Sequence, residues 1–421
     1  MSENSFLSEV RRFEKFVKIK ADLIANGINV ASSFQGKSNF NTKQIHLYQH
    51  HSEAHMFPIP EDIYLYRENQ IINKSIVSKL RYNPRSNWTL HLEDEIYFIE
   101  NPKTEERFEV QLTAPTNFDA CSIEGTSLNK IVQKLGKDVA GVILSNYCFY
   151  YKDGKECKFC EIYQTFKKHK THKSAIKPVD KVIEGLKQAF ALDPDLKYVL
   201  LNSGNITSYD YTAGEFIKIA RGIKSLKDEL GLDIVAILMP PENFSLMDEM
   251  KEAGIDKVYY DIEVFNYELF KKVCPGKSDY GYENMLQALE YGANVFGKGS
   301  SYSSFIYGIQ HLPLSLDTTS WDGEQENEKA LYAVDQLLAR NIVPLFCVYH
   351  FSGYNQIGQM QLDADKLFEF SCQYGQKVAA SGIIPHSRDS VVYSSTSVTN
   401  TLLNDGYNLA LLNTMTHELV R

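Results

Sequence analysis

The chain has 421 residues, a length that at roughly 150 residues per domain accommodates two to three domains. Hydrophobic residues make up 43% and charged residues 23%, the balance of a soluble globular protein, which excludes a disordered or fibrous chain. Lys plus Arg number 44 against 53 Asp plus Glu, a net charge of −9, so the basic surplus of a nucleic-acid binder is missing and no nucleic-acid partner is expected.

Met1 to Lys20 is charged and Phe-rich and lacks the apolar block of a secretory signal. With no run of eighteen apolar residues anywhere, the expected setting is cytoplasmic, with no membrane partner. Residues 5–26 read as an amphipathic helix with Phe6, Val10, Phe13, Val17 and Ile24 on one face and Gly27 as its stop. Residues 28–135 hold short apolar runs, among them Ile63–Tyr66 and Ile96–Ile99, between Pro58, Pro60, Pro84 and Pro102, and predict a small mixed α/β region rich in short strands.

From residue 138 the pattern turns regular. Strands are predicted at Val139–Leu144, Tyr198–Leu201, Ile234–Leu238, Val258–Ile262, Ser300–Ile306 and Val343–Tyr349. Between them lie helical patterns: one opening with Pro178 at its first position, one through Phe216 and Ile223, Phe244–Ala253 ended by Gly254, Tyr282–Tyr291 ended by Gly292, and Glu328–Ala339. Six strand-then-helix units imply parallel strands joined by right-handed crossovers, either an open doubly wound sheet or a partial barrel. The expected division is a mixed α/β region at 1–137, an α/β core at 138–350, and a short C-terminal extension at 351–421 with a helix near Ala364–Tyr374 and a Ser/Thr-rich stretch from Ser390 to Thr401.

Seven cysteines in a chain without a secretory signal argue against a disulfide framework. Cys148, Cys157 and Cys160 fall just after the first core strand, in the pattern C-x8-C-x2-C; the other four are scattered. Ligands of α/β sheets gather at the carboxyl ends of strands, so these thiols sit where a cofactor would bind. Three thiolates are one short of the usual structural zinc site, though His169 and His172 lie near enough in sequence to complete one, in a zinc-stabilised α/β binding protein without catalysis. On a [4Fe–4S] cluster, three cysteines leave one iron open to bind a ligand.

A three-cysteine loop after the first strand, with an aromatic, Phe159, just before the last cysteine, resembles the radical S-adenosylmethionine (radical SAM) superfamily. The common spacing there is C-x3-C-x2-C; here Lys152–Lys155 reads as an inserted turn in the first gap. The resemblance covers about residues 138–350 and implies a partial (β/α)6 TIM-like barrel. It also implies a [4Fe–4S] cluster on Cys148, Cys157 and Cys160 that cleaves SAM to methionine and a 5′-deoxyadenosyl radical, which takes a hydrogen atom from a small-molecule substrate. By the same resemblance, Ser203, Gly204 and Asn205 stand where the family's Gly-rich turn meets SAM. Glu263, in the segment 261–266 followed by Cys274-Pro275-Gly276-Lys277, matches a strand-end acid that contacts SAM in relatives of biotin synthase. Ser301 and Ser303 are expected to face the barrel interior, where a packed core would favour Val or Ile.

Other signals are weaker. Gly292–Gly299 nearly matches a phosphate loop, but Gly299 stands where the magnesium-binding hydroxyl belongs and the helix precedes the strand, so no ATPase is expected. His46, His50 and His51 would share one face of a helix as a metal site, but no accompanying carboxylate is well placed, and with His55 they read rather as a surface or core-edge histidine group. Lys167–Lys173 reads as a solvated basic loop, as a docking patch for an acidic one-electron donor such as flavodoxin or ferredoxin, or as a site for a substrate phosphate. Cys274, Cys347 and Cys372 are too far apart to suggest a second cluster, and Cys347 reads as a small core residue. Asn87-Trp88-Thr89 carries no meaning without a secretory signal. His350, at the carboxyl end of the sixth strand, is expected in the substrate pocket, where an imidazole orients a polar group or exchanges a proton. The implied reaction is rearrangement, lyase or coupling chemistry on a small molecule; no leader-binding module is recognised that would favour a peptide substrate.

Overall fold

The computed structural model describes residues 2–34, 60, 62–66, 69–72, 74–112, 116–135, 138–169, 176–351, 355–383 and 402–419. The histidine group at 46–55, residues 170–173 of the basic run and the Ser/Thr-rich stretch at 390–401 lie outside the described residues.

Helix α1 (Glu3–Asn26) opens at Ser2, whose Oγ accepts the Ser5 N–H at 3.3 Å, and buries Phe6, Val10, Phe13 and Val17. Strands β1 (Asn29–Val30), β2 (Asp62–Tyr66), β3 (Ile76–Lys79), β4 (Thr89–Glu93), β5 (Ile96–Asn101) and β6 (Glu106–Leu112) follow. They form one sheet in the order β1-β4-β5-β6-β2-β3, antiparallel except for β1 beside β4. The helix packs on it, with Phe16 stacked on Tyr66 at 5.3 Å between ring centroids. A small hairpin, β7 (Ser122–Ile123) and β8 (Thr126–Ser127), leads to the second sheet.

That sheet carries β9 (Gln133–Leu135), β10 (Val139–Ile143), β11 (Tyr198–Asn202), β12 (Asp233–Ile237), β13 (Lys257–Tyr259), β14 (Ser301–Tyr307) and β15 (Val343–Val348). Its spatial order is the sequence order, with β10 to β15 parallel and β9 antiparallel at the edge. This order decides between the two architectures. A doubly wound sheet reverses its winding at a switch point, whereas here every crossover steps the same way. The helices therefore cover one face and the other lines the interior of a partial (β/α)6 barrel.

The remaining helices are α2 (Ile162–His169), α3 (Val179–Leu192), α4 (Tyr209–Gly222), α5 (Lys224–Leu230), α6 (Ser245–Ala253), α7 (Tyr267–Val273), α8 (Pro275–Tyr280), α9 (Tyr282–Phe296), α10 (Gly323–Leu338), α11 (Ala364–Ala380) and α12 (Leu402–Leu419). Pro178 is the residue before α3, with extended backbone, rather than its first helical residue. Helix α9 does not stop at Gly292 but runs to Phe296, with Gly297 (φ 97°) after it. A Cβ on Gly292 would lie 3.2 Å from Ser301 Oγ and 3.3 Å from Val258 Cγ2, so this glycine lets the helix lie close on the sheet. Helix α11, beyond the expected core boundary, packs on the barrel: Phe370 meets Phe346 and Phe305, and Tyr374 donates to the Pro344 carbonyl at 2.7 Å. Its other side meets α1 and α12, and Lys20 of α1 pairs with Asp405 of α12 in the interior.

Candidate active site

A cavity of about 300 Å³ opens at the carboxyl ends of the parallel strands, the end at which barrel enzymes place their chemistry. Cys148, Cys157 and Cys160 all line it, as does Phe159 between the last two. Their loop is held by backbone bonds at several points. Cys160 N–H donates to Cys157 O at 2.9 Å, Lys158 N–H to Val273 O at 2.8 Å, and Phe149 N–H to Asn205 O at 2.9 Å. The Tyr151 hydroxyl donates to Cys160 O at 2.9 Å.

The turn after β11 presses on this loop. Gly204 N–H donates to Ser145 O at 3.0 Å, and a Cβ on Gly204 would lie 2.9 Å from the Tyr147 carbonyl carbon and 3.1 Å from Cys148 Cβ. Only glycine permits that approach. Ser203, Gly204 and Asn205 line the cavity. Part of their acceptor capacity is already engaged, since Ser203 Oγ donates to Gly204 O and Asn205 O receives Phe149 N–H.

Across from the turn stands a buried ionic group. Glu263, in the left-handed region at φ 72°, pairs through Oε1 with Lys277 Nζ at 2.7 Å. The same ammonium donates to the Asp261 carbonyl at 2.6 Å, and Asp261 Oδ1 accepts Ser304 N–H at 2.8 Å. Glu263 is pinned on its backbone side by Gln310, whose Nε2 donates to Glu263 O at 2.8 Å. Asp261, Glu263 and Lys277 all line the cavity.

The electrostatics follow from burial. Burial pushes the Cys148 thiol up to about 11 and the Cys160 thiol up to about 12. Cys157 is pushed well above the ordinary thiol range by its hydrogen bond with Cys274 and by burial. Asp261 is pushed up to about 7, by burial first and by Glu263 second. Burial works against the charge of Lys277, but Glu263, Cys157, Cys274 and Asp261 outweigh it and hold the ammonium above the ordinary lysine range.

The rest of the wall is largely apolar: Ile237 at the end of β12 with Leu238 and Met239 after it, Ile306 on β14, and Val348 and Tyr349 at the end of β15. His350 and Asn355 complete the rim, Asn355 Nδ2 donating to His350 O at 3.2 Å.

Two expectations are overturned here. Ser301 and Ser303 do not face the cavity. Ser301 Oγ donates to Leu289 O in α9 at 2.9 Å, and Ser303 Oγ accepts Ile262 N–H at 3.1 Å. The alternating pleat turns Ser304 and Ile306 inward instead. Cys347 is not a plain core residue: it lines the cavity with its Sγ 3.6 Å from Ser304 Oγ. Cys274 is buried behind Cys157, and Cys372 lies away on α11, so these three do not meet. Sequence reasoning missed Asp261 and Lys277 as wall residues; the one available signal was a lysine fourteen positions after a strand-end acid, which spacing alone does not pair.

The donor set suits an iron–sulfur cluster. Three soft thiols line one cavity, and burial keeps them protonated until a metal centre displaces the protons. A buried ammonium beside Cys157 offsets the negative charge that their ionisation brings. Among the described residues, no three His, Cys, Asp or Glu side chains are grouped to hold a single metal ion; the His169 side chain and His172 lie outside them.

Residues 142–315 match the Radical SAM superfamily. Members of this superfamily use a [4Fe–4S] cluster and SAM. The chain is also similar to the bacteriochlorophyllide c C-7(1)-hydroxylase of Chlorobaculum limnaeum, at 25% identity over 221 residues. That match covers 49% of this chain and 54% of the hydroxylase, so the chain spans about half the length of this relative. Among solved structures, methylornithine synthase aligns with a TM-score of 0.41 and 14% identity, over 66% of this chain and 69% of its own. The hydrogenase maturase HydG of Carboxydothermus hydrogenoformans aligns with a TM-score of 0.40 and 17% identity, over 60% and 52%. Among the described residues, no helix is long and apolar enough to cross a membrane.

Proposed function

We propose that this protein is a radical SAM enzyme that abstracts a hydrogen atom from a small, largely apolar substrate. The observation that carries the reading is the convergence of Cys148, Cys157, Cys160 and Phe159 on one cavity at the carboxyl ends of six parallel strands. When bound, a [4Fe–4S] cluster supplies one electron to the SAM sulfonium, which yields methionine and the 5′-deoxyadenosyl radical. The chain's own residues orient and enclose. Cys148, Cys157 and Cys160 are the cluster ligands, and Phe159 shields them. The turn at Ser203–Asn205 and the carboxylate of Glu263 flank the SAM position. The apolar wall at Ile237–Met239, Ile306 and Val348 excludes water from the radical and receives the substrate. His350 at the rim orients a polar group of the substrate or exchanges a proton with it. A flavodoxin- or ferredoxin-type donor delivers the electron.

The similarity to a hydroxylase adds oxygenation of the activated carbon to rearrangement, lyase and coupling as the outcome after hydrogen abstraction. The test uses anaerobically reconstituted protein. Iron and sulfide analysis should find four of each per chain, and a strong one-electron reductant should release 5′-deoxyadenosine from SAM. Cys148→Ala should lose both. Zinc in place of iron, or an intact cluster that yields no 5′-deoxyadenosine, overturns the reading. With the substrate in hand, His350→Ala should lose product while keeping basal SAM cleavage.

A further inference from the structure

Lys277 has no role assigned by the radical SAM reading, yet it is the one lysine or arginine lining the described cavity. Its side chain is 12% exposed and that of its partner Glu263 13%. A salt bridge that deep is not held in place for surface solubility, because desolvating both ions costs more than an exposed pair returns. The geometry explains what holds it. Nζ is fixed by two bonds, to Glu263 Oε1 and to the Asp261 carbonyl. Its stretch of chain is stitched to the cysteine loop through Gly276 N–H to Lys155 O at 2.9 Å, and through Lys158 N–H to Val273 O at 2.8 Å. The ammonium lines the same cavity as Cys148, Cys157 and Cys160. The facing charged or titratable groups are Asp261, Glu263, Cys157 and Cys274, so Lys277 is the single cation among potential anions.

We infer that Lys277 is a positioning residue that sets the reduction potential of the cluster, its fixed positive charge favouring the reduced, more negative state, with Glu263 as an opposing charge that moderates it. The inference rests on the cluster assignment above. Net charge near an iron–sulfur centre is one of the levers on its potential, and a buried cation is poorly screened by solvent. The two members of the pair must then act in opposite directions, which a purely structural salt bridge would not produce.

The test is a potentiometric titration of reconstituted holoprotein, read by the electron paramagnetic resonance of the reduced cluster, for wild type, Lys277→Met, Lys277→Arg and Glu263→Gln, with iron content measured on each. Lys277→Met should lower the ratio of reduced to oxidised cluster at a fixed potential about tenfold, about 59 mV for a one-electron couple. Lys277→Arg should stay within about threefold of wild type, and Glu263→Gln should raise the ratio several-fold. Should Lys277→Met fail to hold the cluster, the upward shift in Glu263→Gln alone supports the inference. A fully loaded Lys277→Met with the wild-type ratio overturns it, as does a Glu263→Gln that is unchanged or shifts downward. Wild-type protein that takes up no iron refutes the cluster assignment itself, an outcome distinct from an unmoved potential.

Discussion

Substituting Gly204 by alanine tests how the turn after β11 positions the first cysteine. The added methyl would lie 2.9 Å from the Tyr147 carbonyl carbon, closer still to its oxygen, and 3.1 Å from Cys148 Cβ. Ordinary contact begins near 3.4 Å, so the turn and the cysteine loop must separate by at least ~0.5 Å. Two backbone bonds span that seam, Gly204 N–H to Ser145 O and Phe149 N–H to Asn205 O. Overpacking of this kind costs about 1–3 kcal/mol and each of the two weakened bonds about 0.5–1.5 kcal/mol, which puts the loss at roughly 2–6 kcal/mol. Gly204 does not have a positive φ, so the effect is steric and not a backbone penalty. The assay pairs urea unfolding with iron content after anaerobic reconstitution. Gly154→Ala, at φ 66° with nothing within 4 Å of the added methyl, isolates backbone strain from contact and should leave iron content unchanged. A Gly204→Ala protein that unfolds at the wild-type midpoint and loads iron fully would refute the reasoning.

Three further outcomes follow from the same geometry. Lys20→Met should destabilise by about 3–5 kcal/mol because it strands Asp405 in the interior, while Lys20→Met with Asp405→Leu should recover most of that loss; equal destabilisation by single and double variants in urea would contradict it. In metal-free protein at pH 8, Cys148 should alkylate about 100-fold more slowly than an ordinary thiol, since burial moves it from 9.0 to about 11 and only the thiolate reacts; mass-spectrometric rates decide this. For Asp261, a folded-state value raised to about 7 means a contribution to stability that is present below the unfolded carboxylate range and lost as pH rises through 7. Wild type should therefore lose stability relative to Asp261→Asn between pH 4 and 8, and parallel curves of urea midpoint against pH would speak against it.

Much of this architecture was legible before the fold was known. Strand-length apolar runs located all six parallel strands, and the three clustered cysteines located the cavity end of the barrel. What remained hidden depended on parity and on distance. All seven residues of β14 are buried, because a barrel strand is covered on both faces, so no polar alternation marks which serines look inward. In sequence, Ser301 and Ser303 therefore look as able to face the interior as Ser304, which alone of the three lines the cavity. Cys347 shares the inward face with Leu345, and an apolar neighbourhood looks the same in sequence whether it closes a core or lines a cavity. Gly292 carries a stop signal in isolation, but close packing on Ser301 overrides it. Lys277 finds Glu263 only because α7 and the start of α8 fold back across the strand end.

The buried pair between Lys20 and Asp405 joins positions 385 residues apart. During synthesis at roughly 5–20 residues per second, the lysine leaves the ribosome about 20–80 s before its counter-ion exists. Through that interval α1 can settle on β2 and β3 on one side, but its other flank, which α11 and α12 will cover, faces water with an ammonium set among apolar residues. A charged lysine there is compatible with solvent and resists premature burial, so the helix that brings the counter-ion, α12, is also one that closes over α1. The nascent chain should thus stay open to proteolysis at α1 until translation has passed residue 405, and a ribosome-stalled series ending on either side of that position would show when the closure takes place.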